Sequence, residues 1–275
     1  MTNPSPRYAL SDDPWDAIRE FLPTNGHPGQ QWKDHRVVID GILWALSDGG
    51  RWRNVPETFG HEKTVYERFR RWSQEGLWDQ ILDELPLRKG LAGDINWERF
   101  AIDGSVIRAH QSAAGASKGN RPDEEPEDHP LGRSHGGFGT TVHLIAAIGD
   151  GQVLPRVVAG SPGQQHETQR IVPLVEGLNE KGMLPEKMAG DKGYSAKWIR
   201  AYLLAHGIEP VIPHQKTEPG RNDPFDREAY RQRNRIERGI NNLKWLRRVA
   251  TRYEKLAIHY LGMLQLAILF RFYRT

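Results

Sequence analysis

The feature that most constrains this chain is a change of period at Glu98. Before it, apolar residues recur at helical spacing, with Trp15, Ile18, Phe21 and Leu22 on one face and Val38, Ile39, Ile42, Leu43 and Leu46 on another. Gly49, Gly50 and Pro56 break that pattern. Thr64 is then expected to cap a helix that turns Val65, Phe69 and Trp72 inward and Arg68, Arg70 and Arg71 outward. After Glu98 the texture is different. Phe100, Ile102, Val106 and Ile107, then Thr141 to Ile148, then Val153 to Val158, are β-branched or apolar runs between turn residues. With Gly149-Asp150-Gly151 as a hairpin turn, three antiparallel strands are expected. Helical spacing at Glu167 to Leu178 and at Ser195 to His206 alternates with short strands at Met188 to Asp191 and Pro210 to Pro213. The Gly-, Pro- and acid-rich stretch from Lys118 to His135 reads as a loop.

This order predicts a small all-helical domain over residues 1–90 and an α/β domain over 96–275, the latter a mixed sheet flanked by helices. The basic helix leaves two readings of the first domain open: a helix-turn-helix that enters a DNA groove, with Arg68 and Arg71 on phosphates, or a plain helical bundle. With 275 residues, 37% of them apolar, the chain can bury a real core. No apolar run is long enough for a membrane span, and Met1 is followed by no basic and apolar leader, so a cytoplasmic location is expected. The absence of cysteine excludes disulfide frameworks, thiolate zinc sites and cysteine nucleophiles. Any metal must sit on oxygen or imidazole. Between Arg221 and Lys255 eleven Lys or Arg face five Asp or Glu, which fits either a polyanion partner or a solvated helix face.

Three acids fall where chemistry is usually placed: Asp103 at the first strand, Asp191 after the fourth, and Glu237 inside a helix. Hard carboxylates suit a pair of magnesium ions about 4 Å apart, as phosphoryl transfer between nucleic-acid strands requires. Taken singly, an Asp before Gly is an ordinary turn residue. The last basic helix adds a sharper pattern. Tyr230, Arg233, Glu237 and Lys244 project within one arc of roughly 60° on an ideal helix, beside an apolar stripe of Ile236, Ile240 and Leu243 and a third face of Arg231, Arg235, Arg238 and Asn242. The alternative use of Arg233 and Glu237 is an intrahelical ion pair.

That Tyr, Arg, Glu, Lys spacing resembles the signature around the third acid of insertion-sequence DDE transposases. The whole chain is similar to the insertion sequence family five branch, within the wider insertion sequence family four superfamily. Matching stretches are Ala101 to His110, Gly132 to His143, Ser161 to Glu167 and Gly190 to Tyr194. The resemblance implies an RNase H-like catalytic fold and Asp103, Asp191 and Glu237 as the catalytic metal ligands, with Tyr230, Arg233 and Lys244 as DNA-contacting signature residues. It also implies two magnesium ions, with manganese as a substitute. The partners would be double-stranded DNA, as transposon ends and target, and at least a second copy of the chain. A DNA-binding repressor without catalysis and a nuclease that cleaves without joining are the alternatives. His110, His135, His143 and His166 leave two readings open, hydrogen-bonded structural residues or groups that support the metal ligands from behind, and Trp198, Trp245 and Leu261 to Phe272 are expected to be core or a partner-facing helix.

Overall fold

The structure is a computed structural model that describes residues 9–24, 32–88, 96–115, 125, 129–134, 136–148, 153–216, 218–219 and 226–272. It gathers into two compact units, each discontinuous in sequence. One is Met1–Lys89 with Ala109–His129 and Leu243–Thr275, the other Gly90–Arg108 with Pro130–Asn242. The linear division into 1–90 and 96–275 runs otherwise, because the chain returns twice to its first unit.

The first unit begins with α1 (Asp12–Ile18), α2 (His35–Asp48), α3 (Glu62–Gln74) and α4 (Leu77–Arg88). Asp34 starts α2 by accepting the backbone N–H groups of Arg36 and Val37, and Val38, Ile39, Ile42, Leu43 and Leu46 are all fully buried, as their spacing predicts. In α3, Val65, Phe69 and Trp72 point inward, and Trp72 meets Trp78 edge to face at 5.6 Å. Burying a ring of that size contributes about 2–3 kcal/mol. Two expectations for α3 are corrected. The capping residue is His61, whose ring accepts the Lys63 N–H, so the helix starts before Thr64. Arg68 does not face outward: it is only 8% exposed, bonds His35 Nδ1 at 2.7 Å and lies over the rings of Trp32 and Trp72. Its long side chain is absorbed by the aromatic core. Arg71 is exposed.

The second unit is built on β1 (Arg99–Ala109), β2 (Gly132–Ser134), β3 (Gly137–Ile148), β4 (Val153–Pro162), β5 (Lys187–Ala189) and β6 (Glu209–Val211), with helices α5 (Ile171–Glu180), α6 (Lys197–Ala205), α7 (Arg227–Gln232) and α8 (Asn234–Leu243). The order is β2-β3-β1-β5-β6, with β4 also on β3. β1 and β3 pair antiparallel from Phe100↔Ala147 to Arg108↔Gly139, and β3 pairs antiparallel with β4. On its other side β1 pairs parallel with β5, and β5 with β6. This is the mixed sheet with flanking helices that the resemblance implies. Pro210 is tolerated in β6 because that strand is at the sheet edge. The Gly149-Asp150-Gly151 turn and most of the 118–135 loop lie outside the described residues.

The chain then returns to the first unit through α9 (Arg247–Ala250), β7 (Thr251–Arg252) and α10 (Ala257–Phe272). Glu125 caps α10 by accepting the N–H groups of Ala257 at 2.6 Å and Ile258 at 2.9 Å, and its carboxylate also pairs with His129. Most of the 261–272 run is core. Trp198 and Trp245 are not: they are 48% and 79% exposed, and Trp245 follows the end of α8. No helix among the described residues is long and apolar enough to cross a membrane.

Candidate active site

β1 and β5 position the two aspartates. The last paired residues are Ala101 and Ala189, two positions before Asp103 and Asp191 respectively. Adjacent strands run about 4.8 Å apart, so the two carboxylates come from neighbouring strands, Asp103 from within β1 and Asp191 from just beyond the carboxyl end of β5. β1 continues past Asp103 because β3 pairs with it as far as Arg108. β5 ends at Ala189, and Asp191 starts a one-turn helix, Oδ1 accepting the Gly193 N–H at 2.8 Å. The turn fixes the direction of the carboxylate.

The third acid comes from α8. Ile236, Ile240 and Leu243 are buried there, and Arg231, Arg238 and Asn242 are exposed, so the apolar and basic faces lie as their spacing predicts. The reactive strip is shorter than expected. The helix is interrupted at Arg233, between α7 and α8, and ends at Leu243, so Lys244 is not on it. An ideal-helix projection holds only while the helix lasts. Tyr230, Arg233 and Glu237 do stay together: the Arg233 guanidinium lies 5.4 Å over the Tyr230 ring and donates to Glu237 Oε1 at 2.5 Å. The intrahelical ion pair is therefore formed. The same guanidinium stands 3.5 Å from Asp103 Oδ1.

Asp103 is 15% exposed on its side chain. Burial pushes its carboxyl up to about 7; Arg233 opposes the rise, while Glu237, Asp191 and Glu167 add to it. Three further acids thus act on one buried carboxyl. Glu167 is the one the sequence reading missed. It opens a one-turn helix (Glu167–Arg170) after β4, and a Cβ at Gly104 would lie 2.8 Å from its Oε1. Its own carboxyl is raised by burial and by Asp191. Tyr194 was likewise unassigned. It is fully buried, its hydroxyl has no hydrogen-bond partner, and burial together with Glu167, Asp103 and Asp191 holds the phenol well above its ordinary range. The signal was present in two matching stretches, which end in Glu167 and Tyr194.

The donor set suits a hard divalent cation: carboxylate oxygens only, partly desolvated, with a negative charge excess that raises Asp103. Among the described residues no three such side chains stand close enough to share an ion in the present arrangement. Arg233 takes Glu237 and faces Asp103, acting as their counter-charge. His166 is near enough to Glu167 to oppose the rise of its carboxyl, and the described histidines otherwise serve the backbone or the core. His110 and His166 accept backbone N–H groups of Ser112 and Thr168 as caps of one-turn helices. His143 is buried against Ser161 Oγ at 2.7 Å, and burial with nearby Arg170 lowers it to about 4. His135 lies outside the described residues.

Residues 98–270 match the family described as "Transposase DDE domain", and residues 10–82 match a family of IS4/5 transposases (DUF4096). The protein y4sN of Sinorhizobium fredii (strain NBRC 101917 / NGR234) is 40% identical over 116 residues, 41% of this chain and 87% of that protein. A 16.2 kDa protein of insertion element IS402 from Burkholderia cepacia is 32% identical over 120 residues, 41% of this chain and 80% of that protein. A solved piggyBac transposase synaptic complex with hairpin DNA aligns over 94% of this chain and 71% of that chain, at 9% identity and a TM-score of 0.40.

Proposed function

Since the chain belongs to the insertion-sequence transposases with a DDE domain, enzymes that cleave DNA and transfer strands, we propose that it acts on the terminal inverted repeats of its element through Asp103, Asp191 and Glu237. The observation that supports this most is the convergence on Asp103: β1, β5 and α8 bring Asp191 and Glu237 within electrostatic reach of its buried carboxyl. Two magnesium ions, or manganese in their place, would be held by Asp103, Asp191 and Glu237 and would supply polarisation of the phosphate and of the attacking oxygen.

The chain's own residues do the positioning. Gly193 N–H orients Asp191, and Arg233 holds Glu237. Arg233 Nε makes no hydrogen bond and Nη1 faces Asp103 at 3.5 Å, a buried fork that would suit a phosphate oxygen of the transposon end brought up to the acids. Tyr230 holds the guanidinium by its ring face. Lys244 and the exposed Arg71 would neutralise backbone phosphates of double-stranded DNA, with residues 1–90 as the end-binding domain. Arg68 is left out of that role by its burial. Water attacks first and the freed 3′-hydroxyl then attacks target DNA, so no covalent intermediate with the protein forms. Holding two ends at once requires at least a homodimer.

A labelled terminal-repeat duplex incubated with the full chain and magnesium should give both cleavage and joining to a target, and Asp191→Ala should give neither. Cleavage without joining would indicate a nuclease, and binding alone a repressor. Full strand transfer by Asp191→Ala would refute the site.

A further inference from the structure

The three acids leave one part of the centre without a counter-charge. Arg233 serves Glu237 and Asp103, but no Lys or Arg among the described residues pairs with Asp191 or Glu167. Glu167 reaches this place because two glycines make room for it. A Cβ at Gly104, next to Asp103, would lie 2.8 Å from Glu167 Oε1 and 2.9 Å from its Cδ. A Cβ at Gly193, two residues after Asp191, would lie 3.3 Å from Glu167 Oε2 and 2.9 Å from Asp191 Oδ1. The Glu167 and Asp191 oxygens are therefore no farther apart than the sum of those last two distances. The Glu167 carboxylate thus lies against both the Gly104 backbone of β1 and the turn that Asp191 begins.

A second observation is independent of the acids. The Tyr194 hydroxyl is completely buried, has no hydrogen-bond partner, and stands within electrostatic reach of Glu167, Asp103 and Asp191. Leaving a buried hydroxyl unbonded is unfavourable, and a packing role would be filled by Phe without that cost. A donor among carboxylates has a use once an oxygen-bearing guest enters. Magnesium dehydrates reluctantly and brings water oxygens with it.

We propose that Glu167 is a fourth carboxylate of this centre, drawn together with Asp103 and Asp191 when a divalent cation enters and supplying it an oxygen, and that the Tyr194 hydroxyl donates to a water carried in by that cation. The proposal rests on the reading of Asp103 and Asp191 as cation ligands. The two glycines are then part of the site, since a side chain at Gly104 would displace Glu167.

The test is manganese binding to the metal-free full chain, followed by the electron paramagnetic resonance signal of free Mn²⁺, alongside urea unfolding to show that each variant folds. The parent should bind two Mn²⁺. Glu167→Gln, isosteric and free of charge repulsion, should remain folded and bind one of the two at least tenfold more weakly. Glu167→Asp should recover part of that loss, and Tyr194→Phe should keep both sites with a two- to tenfold weaker one. Glu167→Gln binding both ions within twofold of the parent, while Asp103→Asn and Asp191→Asn lose binding, would overturn this proposal alone. If neither aspartate substitution affects binding, or the parent binds fewer than two ions, the reading beneath it fails as well.

Discussion

Asp103 is held against its own preference, and a neutral isostere should therefore make the protein more stable while ending strand transfer. Its carboxyl is raised from 3.8 to about 7. At about 1.4 kcal/mol per pH unit this amounts to about 4 kcal/mol of stability forfeited when the group is ionised. That value already includes the opposing pull of the Arg233 ion pair at 3.5 Å. A gain of up to about 4 kcal/mol at pH 8 is therefore expected for Asp103→Asn in metal-free buffer. The sign follows from which state holds the proton. Between pH 4 and 7 the unfolded chain has released it and the folded chain retains it, so native stability falls as pH rises and levels off above the folded value. The advantage of Asp103→Asn should therefore shrink steadily as pH is lowered from 7 toward 4. Urea unfolding at pH 8, 6 and 4.5 in EDTA measures this, with strand transfer assayed on the same preparations. A difference below about 1 kcal/mol at pH 8, or one that does not change with pH, would refute the electrostatic account of the site.

Two further outcomes are expected. His143 and His259, both lowered to about 4 by burial, contribute stability that is complete above pH 6.5 and lost as pH falls through 4, about 3 kcal/mol each. Proton NMR should find both rings neutral at pH 5, and His259→Phe should flatten the acid limb of the urea-stability curve by about that amount. Arg68→Ala should cost about 2–3 kcal/mol of stability through the lost ring contacts and His35 bond, without changing the salt slope of DNA binding. Arg71→Ala should do the reverse, leaving stability within about 0.5 kcal/mol and reducing that slope by about one. Titration of DNA binding against salt separates the two.

How much could be read in advance depended on how local the governing interaction is. The helical faces of α2 and α8 and the three long strands follow from residues a few positions apart, and each is found where its period puts it. The residue types of the centre were legible too: hard carboxylates on or beside strands and a Tyr, Arg, Glu group spaced to stay together. By itself the sequence determined which residues are available to this chemistry and which faces must be buried. Tertiary structure decided which of them meet. α8 stops before Lys244, Arg68 disappears between two indole rings, and Glu167 arrives from beyond β4 through the gaps left by Gly104 and Gly193. Periodicity is a property of neighbouring residues, whereas desolvation and the choice of a charge partner are set by chain segments far apart in sequence.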